Sequence, residues 1–461
     1  MSLSDGMFTI VQQNIRTPAF KKNKAVVLHT LSFLELSDVV NYSRICKRWH
    51  RLCNKIVSHS YGPKKIFESN EELRQAVVFY CSGRIGINAV CETYGFPIDR
   101  WDVSQVEDFT DIFNGMKTFN EYIGSWDIAS AKSLDGMFKN CKAFNQSIEY
   151  WDTSNVQSME GTFHGAKAFN QPLDEWDTSN LDSMVYMFKG CEAFNQPLDQ
   201  WDTSNVKSME GTFHGAKAFN QTLNHLQTKN VETMNHMFAD ALSFNQPLCE
   251  WDTSNVEDMT GMFQDTLNFN QPVGEWNVSN VEDMTGMFNC AVAFNQPLNT
   301  WNTKNVTSMH AMFCGALDFD QPLLGWDTSQ VEDMSSMFEN TSAFNQSLVT
   351  WDTSKVRNMM EMFKSAEAFN QPIQHWDFGS VVAYDGMLYD TDCFDQALPE
   401  GFEPEVGFRS PESYKEKNSN DDVDLTTLRE LMESMKNSSD ENEGCLDWAT
   451  LTELIESMES S

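Results

Sequence analysis

The sequence predicts an α/β solenoid of about twelve 25-residue repeats, each with one short strand and one short helix, behind a small all-α domain. Three observations predict it. The stretch "WDTSNVQSMEGTFHGAKAFNQ" begins at Trp151 and returns at Trp201 with one change, Gln157 becoming Lys207. Trp recurs every 25 residues from Trp101 to Trp376, with Leu226 filling the one gap. Two Phe series keep the same step, one from Phe113 to Phe363 (closed by Leu388), the other from Phe119 to Phe394. No insertion interrupts them, and an unbroken period of this length marks units that stack on one another.

Each element follows from local pattern. Residues 1–24 form an N-terminal segment, and residues 25–65 read as the small helical domain. There Leu28, Leu31 and Leu34 keep helical spacing, Ser37-Asp38 starts a second helix, and Ile45, Trp49 and Leu52 continue one. Residues 66–95 read as a helical lead-in or cap, and residues 96–398 as the solenoid. Within one repeat, Leu198, Trp201 and Thr203 read as a short strand with Trp inward. Val206, Met209, Phe213 and Ala216 then share one face of a short helix. Ser254 with Glu257, Ser279 with Glu282, and Ser329 with Glu332 have capping-box spacing at its start. A strand and a helix this short cannot bury their own apolar faces, whereas stacked copies can. A buried Trp removes about 200 Å² from water, worth roughly 5 kcal/mol gross, so the Trp series is read as core. Residues 399–424 read as a linker and 425–461 as an acidic helical tail. The tail carries one stripe of Leu425, Leu428, Met432 and Met435 and another of Leu451, Leu454, Ile455 and Met458. Between them "SDENEGCLDWAT" faintly resembles an EF-hand loop. Ser439 and Thr450 stand where that family has Asp and Glu, which removes the carboxylates calcium needs.

Charge and cysteine usage narrow the function. The chain carries 32 Lys and Arg against 67 Asp and Glu, a formal net charge of −35. Residues 1–65 are basic, with 11 against 3, and residues 403–461 acidic, with 5 against 16. Such a chain repels nucleic acid and anionic membrane, so neither is expected as a partner. The 11 cysteines show no regular spacing and no CxxC pair, which points to a reducing, intracellular setting, cytoplasmic or nuclear. Cys141 and Cys191 occupy the phase held by Ala166, Ala216 and Ala241 and read as small buried residues. No apolar run is long enough to span a bilayer, and no signal peptide is expected. His164 and His214, in the duplicated block, read as exposed helix-end residues. No metal-ligand spacing, phosphate loop or nucleophile elbow is present, so neither cofactor nor metal nor enzymatic activity is expected.

Two resemblances add to this reading. Leu31-Ser32-Phe33-Leu34, Asp38-Val39 and Ile45-Cys46-Lys47-Arg48-Trp49-His50-Arg51-Leu52 resemble the F-box, although the family's opening Leu-Pro is replaced by Lys22-Asn23. The resemblance implies that Leu31, Leu34, Ile45, Cys46, Trp49 and Leu52 dock on the cullin-ligase adaptor. The pattern "FNQPLDQWDTSNVKSM", running over residues 96–398, is similar to the BspA-like leucine-rich repeats. Together they imply a substrate-recognition subunit of an SCF-type ubiquitin ligase. The alternatives are an intracellular interaction scaffold without ligase role and a surface-adhesion repeat protein.

The target-binding candidates come from the repeat itself. On a strand centred on Trp201 the flanking residues face away from the core. That displays Tyr150, Glu175, Gln200, His225, Glu250, Glu275, Thr300 and His375, a row that varies while the core phases do not. The Asp ladder beside it (Asp102, Asp127, Asp152, Asp177, Asp202) admits a bound cation. The same phase carries Gln227, Asn277 and Asn302, which favours turn capping by an acceptor oxygen.

Overall fold

A computed structural model describes residues 65–82 and 84–402. The F-box-like positions, from Leu31 to Leu52, and the tail from 403 onward lie outside the described residues.

Two helices lead into the array, α1 (Asn70–Cys81) and α2 (Arg84–Tyr94). Ser69 caps α1, its hydroxyl accepting from the Glu72 amide, with Glu71 and Glu72 in the positively polarised first turn. Leu73, Ala76, Val77 and Tyr80 form the buried face of α1. Phe67, Tyr80 and Tyr94 gather around Trp101, the first Trp of the series. The Asn70 side-chain amide donates to the Asp108 and Thr110 carbonyls at 3.1 and 2.9 Å, covering acceptors of the first repeat.

From there each repeat pairs with the next. Eleven parallel bridges run from Asp108↔Ser133 to Asn358↔Ala383, each joining residues 25 apart. The amides of Met209, Gly211, Phe213 and Gly215 donate to the carbonyls of Thr233, Asn235, Met237 and Ala239 at 2.7–3.1 Å. The intervening amides fold back, Thr212 to Met209, His214 to Gly211 and Ala216 to Phe213. Alternate amides thus bond along the stack and within the turn.

This arrangement corrects the expected helix. The stretch from Val206 to Ala216 is a run of overlapping turns, and the described repeats contain no α-helix. Residues at two phases four apart, such as Asp111 and Gly115 or Gly211 and Gly215, take positive φ in every repeat. A right-handed helix cannot pass through left-handed residues, and amides donated to the next repeat are lost to i−4 bonds. The strand expected around Trp201 is also absent: 199–200 and 204–205 are turns, and the parallel bridges fall seven residues after each Trp. The expected capping boxes do not form, since no helix begins there. The Glu257 amide instead donates to the Glu232 carbonyl one repeat earlier. His164 and His214, expected exposed, are half-buried in turns.

The burial phases match the sequence pattern. Val206, Met209, Phe213, Ala216, Phe219 and Leu223 are all fully buried. Phe113 to Phe363 stack rung on rung at 5.5–5.8 Å between ring centroids, with planes within 8° of parallel. The Asn-Gln pair after the second Phe series is structural too. The Asn145 amide and the Gln146 side chain both donate to Asn120 Oδ1 at 2.9 Å, and the motif repeats as far as Asn370. At the final rung the amides of Tyr384, Gly386, Leu388 and Asp390 have no hydrogen-bond partner among the described residues.

Candidate protein-binding surfaces

The row ahead of each Trp sits in a two-residue turn, which is why it faces outward. Tyr150 is 79% exposed, and Glu175, Gln200, Glu250, Glu275, Thr300 and His375 are exposed as well. These seven lie at one phase of a backbone that pairs repeat to repeat, so they form one row. Thr300 is partly committed, its hydroxyl donating to the Gly274 carbonyl at 2.7 Å.

His225 departs from the row. It is half-buried, and its Nε2 lies 2.9 Å from the Leu198 carbonyl. In the preceding repeat the Leu173 carbonyl accepts from Trp201 Nε1 at 3.0 Å, as the Leu223 carbonyl does from Trp251. Leu226 cannot donate, and its neighbour His225 fills the vacancy. The residue expected to be displayed is therefore a structural donor. A short signal existed in the sequence: His precedes the single Leu of the Trp series.

The Asp ladder caps turns. Asp102, Asp127, Asp152, Asp177 and Asp202 each accept the backbone amide two residues on, and Asn277 and Asn302 do the same. An amide oxygen serves where a carboxylate does, so the shared requirement is an acceptor. The Ser179 and Ser254 hydroxyls and amides hold the Asp177 and Asp252 carboxyls below their ordinary range. Gln227 is one methylene too long for this turn. Its Oε1 accepts instead from the Thr203 amide of the preceding repeat, and its Nε2 donates to the His225 carbonyl.

One residue before the exposed row, Asp174 and Asp199 follow each other on successive repeats. Burial, and then the charge of Asp199, raise the Asp174 carboxyl, whose Oδ1 is buried without a partner. This puts an acidic shoulder beside Glu175.

Cysteines serve as packing. Cys141 and Cys191 are buried, each Sγ 2.9 Å from a Phe carbonyl of the previous rung. Burial pushes the Cys141 thiol up to about 12 and Cys191 higher still, far from a thiolate nucleophile at neutral pH. Among the described residues no group of three or more His, Cys, Asp or Glu could hold a metal ion, and no helix is long and apolar enough to cross a membrane.

Comparison with known families places this geometry. Residues 88–201, 182–300, 246–331 and 289–401 match the family described as Mycoplasma protein of unknown function, DUF285. Together these stretches run over well more than half of the chain. The chain belongs to the DUF285 family. The overlapping DUF285 matches start within α2 and end near the last described residue, so the stacked rungs are the family's repeats. Residues 24–61 match the F-box domain. The DUF285 array is thus preceded in one chain by an F-box. No curated protein matched the chain.

Proposed function

We propose that this protein is a substrate-recognition subunit of a cullin-based ubiquitin ligase. Its F-box binds the small cullin adaptor through Leu31, Leu34, Ile45, Cys46, Trp49 and Leu52, and the array holds the target. The observation that carries the reading is an F-box at residues 24–61 ahead of stacked interaction repeats. The repeats act as a solenoid, leucine-rich-repeat-like in stacking one short unit on the next. The protein binds and does not catalyse, and it works inside the cell, where cullin ligases act. The row Tyr150, Glu175, Gln200, Glu250, Glu275, Thr300 and His375, with the Asp174–Asp199 shoulder, takes a basic or mixed-charge segment of the target. Its exposed carboxylates and lack of packing duty support this use.

Lys22-Asn23, in place of the family's Leu-Pro, favours a second reading: an intracellular scaffold whose F-box recruits no ligase. Affinity capture separates the two. The ligase reading expects the full chain to bring down adaptor and cullin, and Trp49→Ala to lose both. Failure of the wild-type chain to bind any adaptor at micromolar concentration overturns it in favour of the scaffold.

A further inference from the structure

A second charged surface lies at a different phase of the repeats, and it has the opposite sign. Residues 66–402 carry 16 Lys and Arg against 48 Asp and Glu, yet six of those 16 fall in two adjoining rows over the first five repeats. One row is Lys139, His164, Lys189, His214, where the Asn140, Gly165 and Gly190 amides donate to the His164, Lys189 and His214 carbonyls at 2.6–2.7 Å. The other is Lys117, Lys142, Lys167, Glu192, Lys217, stitched by bonds from Ala143, Ala168, Ala193 and Ala218 to the carbonyl one rung back. In sequence the rows read KNCK, HGAK, KGCE and HGAK at 25-residue intervals. The two copies of the duplicated stretch supply both histidines and two of the lysines, Lys167 and Lys217.

Between the rows Gly165, Gly190 and Gly215 follow one another. The Asn140 side chain borders Gly165, its Oδ1 2.7 Å from where a Cβ would stand, whereas a Cβ placed on Gly190 meets nothing nearer than the Gly165 backbone at 3.6 Å. Positive φ alone does not demand glycine at this phase. Asn140, Asp240, Asp265 and Ser365 occupy it in other repeats with φ of 55–59°. Glycine also stands at this phase in Gly115 and Gly315, but only here do three follow one another, and the run ends where Asp240 and Asp265 bring carboxylates into the same line. Burial and the charges of Lys139 and Lys189 lower His164 to about 4, so at neutral pH it adds no charge between those two lysines. Acidic groups facing the strip include Glu192, 3.1 Å from Lys167, Asp240, 3.5 Å from His214, and Asp265, whose carboxyl also interacts with His214.

We propose that this strip binds an extended acidic segment of a partner protein, its backbone over Gly165, Gly190 and Gly215 and its carboxylates between the two lysine rows. Charge complementarity argues for that occupant. In a chain of net charge −35, an anionic ligand is repelled almost everywhere except a local concentration of lysine. The glycine floor lets its main chain approach the rung backbone, which side chains such as Asp240 and Asp265 at this phase would obstruct. The surface is separate from the row ahead of each Trp and holds whether or not the F-box engages an adaptor.

The test is fluorescence anisotropy on the full chain with a labelled peptide of alternating Glu and Gly. Saturable binding is expected that weakens as salt rises from about 10 mM to about 150 mM, with no binding of the Gln–Gly counterpart. The triple variant Lys142→Glu, Lys167→Glu, Lys217→Glu should lose at least about tenfold in affinity. Gly190→Asp keeps every lysine, adopts a residue found at this phase elsewhere, and should weaken binding in the same direction. Reversal of Lys304, Lys355 and Arg357, outside the strip, should change nothing. The proposal is overturned if the Glu peptide does not saturate, if the Gln peptide binds equally, or if the outside reversal weakens binding as much as the strip variants. Binding that arises only in a chain cut after Pro411 overturns the partner assignment as well, and names the chain's own acidic C-terminal segment as the occupant.

Discussion

The repeats that begin at Trp201 and Leu226 share one backbone and meet the same demand differently. At Trp201 a single side chain fills the core and donates from Nε1 to the Leu173 carbonyl. At position 226 the two duties are divided. Leu226, 3% exposed, fills the core, and His225 turns inward to reach the Leu198 carbonyl. The difference teaches that apolar volume and a donor are separable duties, and that one residue need not supply both. The Leu198 carbonyl already accepts from the Trp201 amide, and His225 supplies the second donor that the indole gives elsewhere.

The largest break expected is Trp201→Ala, which removes volume and donor together. Loss of a large buried aromatic destabilises by about 3–5 kcal/mol. Because each rung is held by its neighbours, the effect should show as faster amide exchange centred on residues 176–226, fading with distance. Uniform acceleration along the whole array would contradict nearest-neighbour stacking. His225→Ala separates the two duties, leaving the core filled and the Leu198 carbonyl with the Trp201 amide as its one remaining donor. The expected loss is about 0.5–1.5 kcal/mol, seen as faster exchange around 198–226. Adding Leu226→Trp to that variant should recover protection by restoring the indole donor. No recovery would mean the space at 226 has closed around leucine.

A smaller contrast lies one residue on, where Asp252 titrates and Gln227 does not. The Asp177, Asp252 and Asp352 carboxyls are held low by the hydroxyls and amides of Ser179, Ser254 and Ser354. A depressed carboxyl contributes stability that is complete above the unfolded value, about 4, and is lost as pH falls through the folded value. Protection of these turns should therefore decline only in acid, whereas the turn at Gln227 should be indifferent to that titration. Asp252→Asn keeps an acceptor, as Asn277 does, and should flatten the acid response of its own turn. The smallest effect on stability belongs to the exposed row. Glu175→Lys, Glu250→Lys and Glu275→Lys should each leave stability within about 0.5 kcal/mol while weakening target capture. Unchanged capture would remove this row as the target site.

The period, the number of repeats and the buried phases were legible in the sequence by itself. Trp, Met and Phe at fixed positions in unit after unit can serve only a core that every unit shares, and those side chains are buried. The Asp-to-Asn exchanges at one phase likewise revealed a turn acceptor. The backbone between those phases was decided by tertiary structure. Spacings of three and four residues fit a helix, but they also fit successive turns whose alternate amides bond to the next repeat. Only the stack supplies those external acceptors, such as the Met237 carbonyl for the Phe213 amide. His225 shows the same limit on the scale of one side chain. Its position in the period marked it for display, and its role turned on a carbonyl 27 residues earlier that lacked the indole donor of the other rungs.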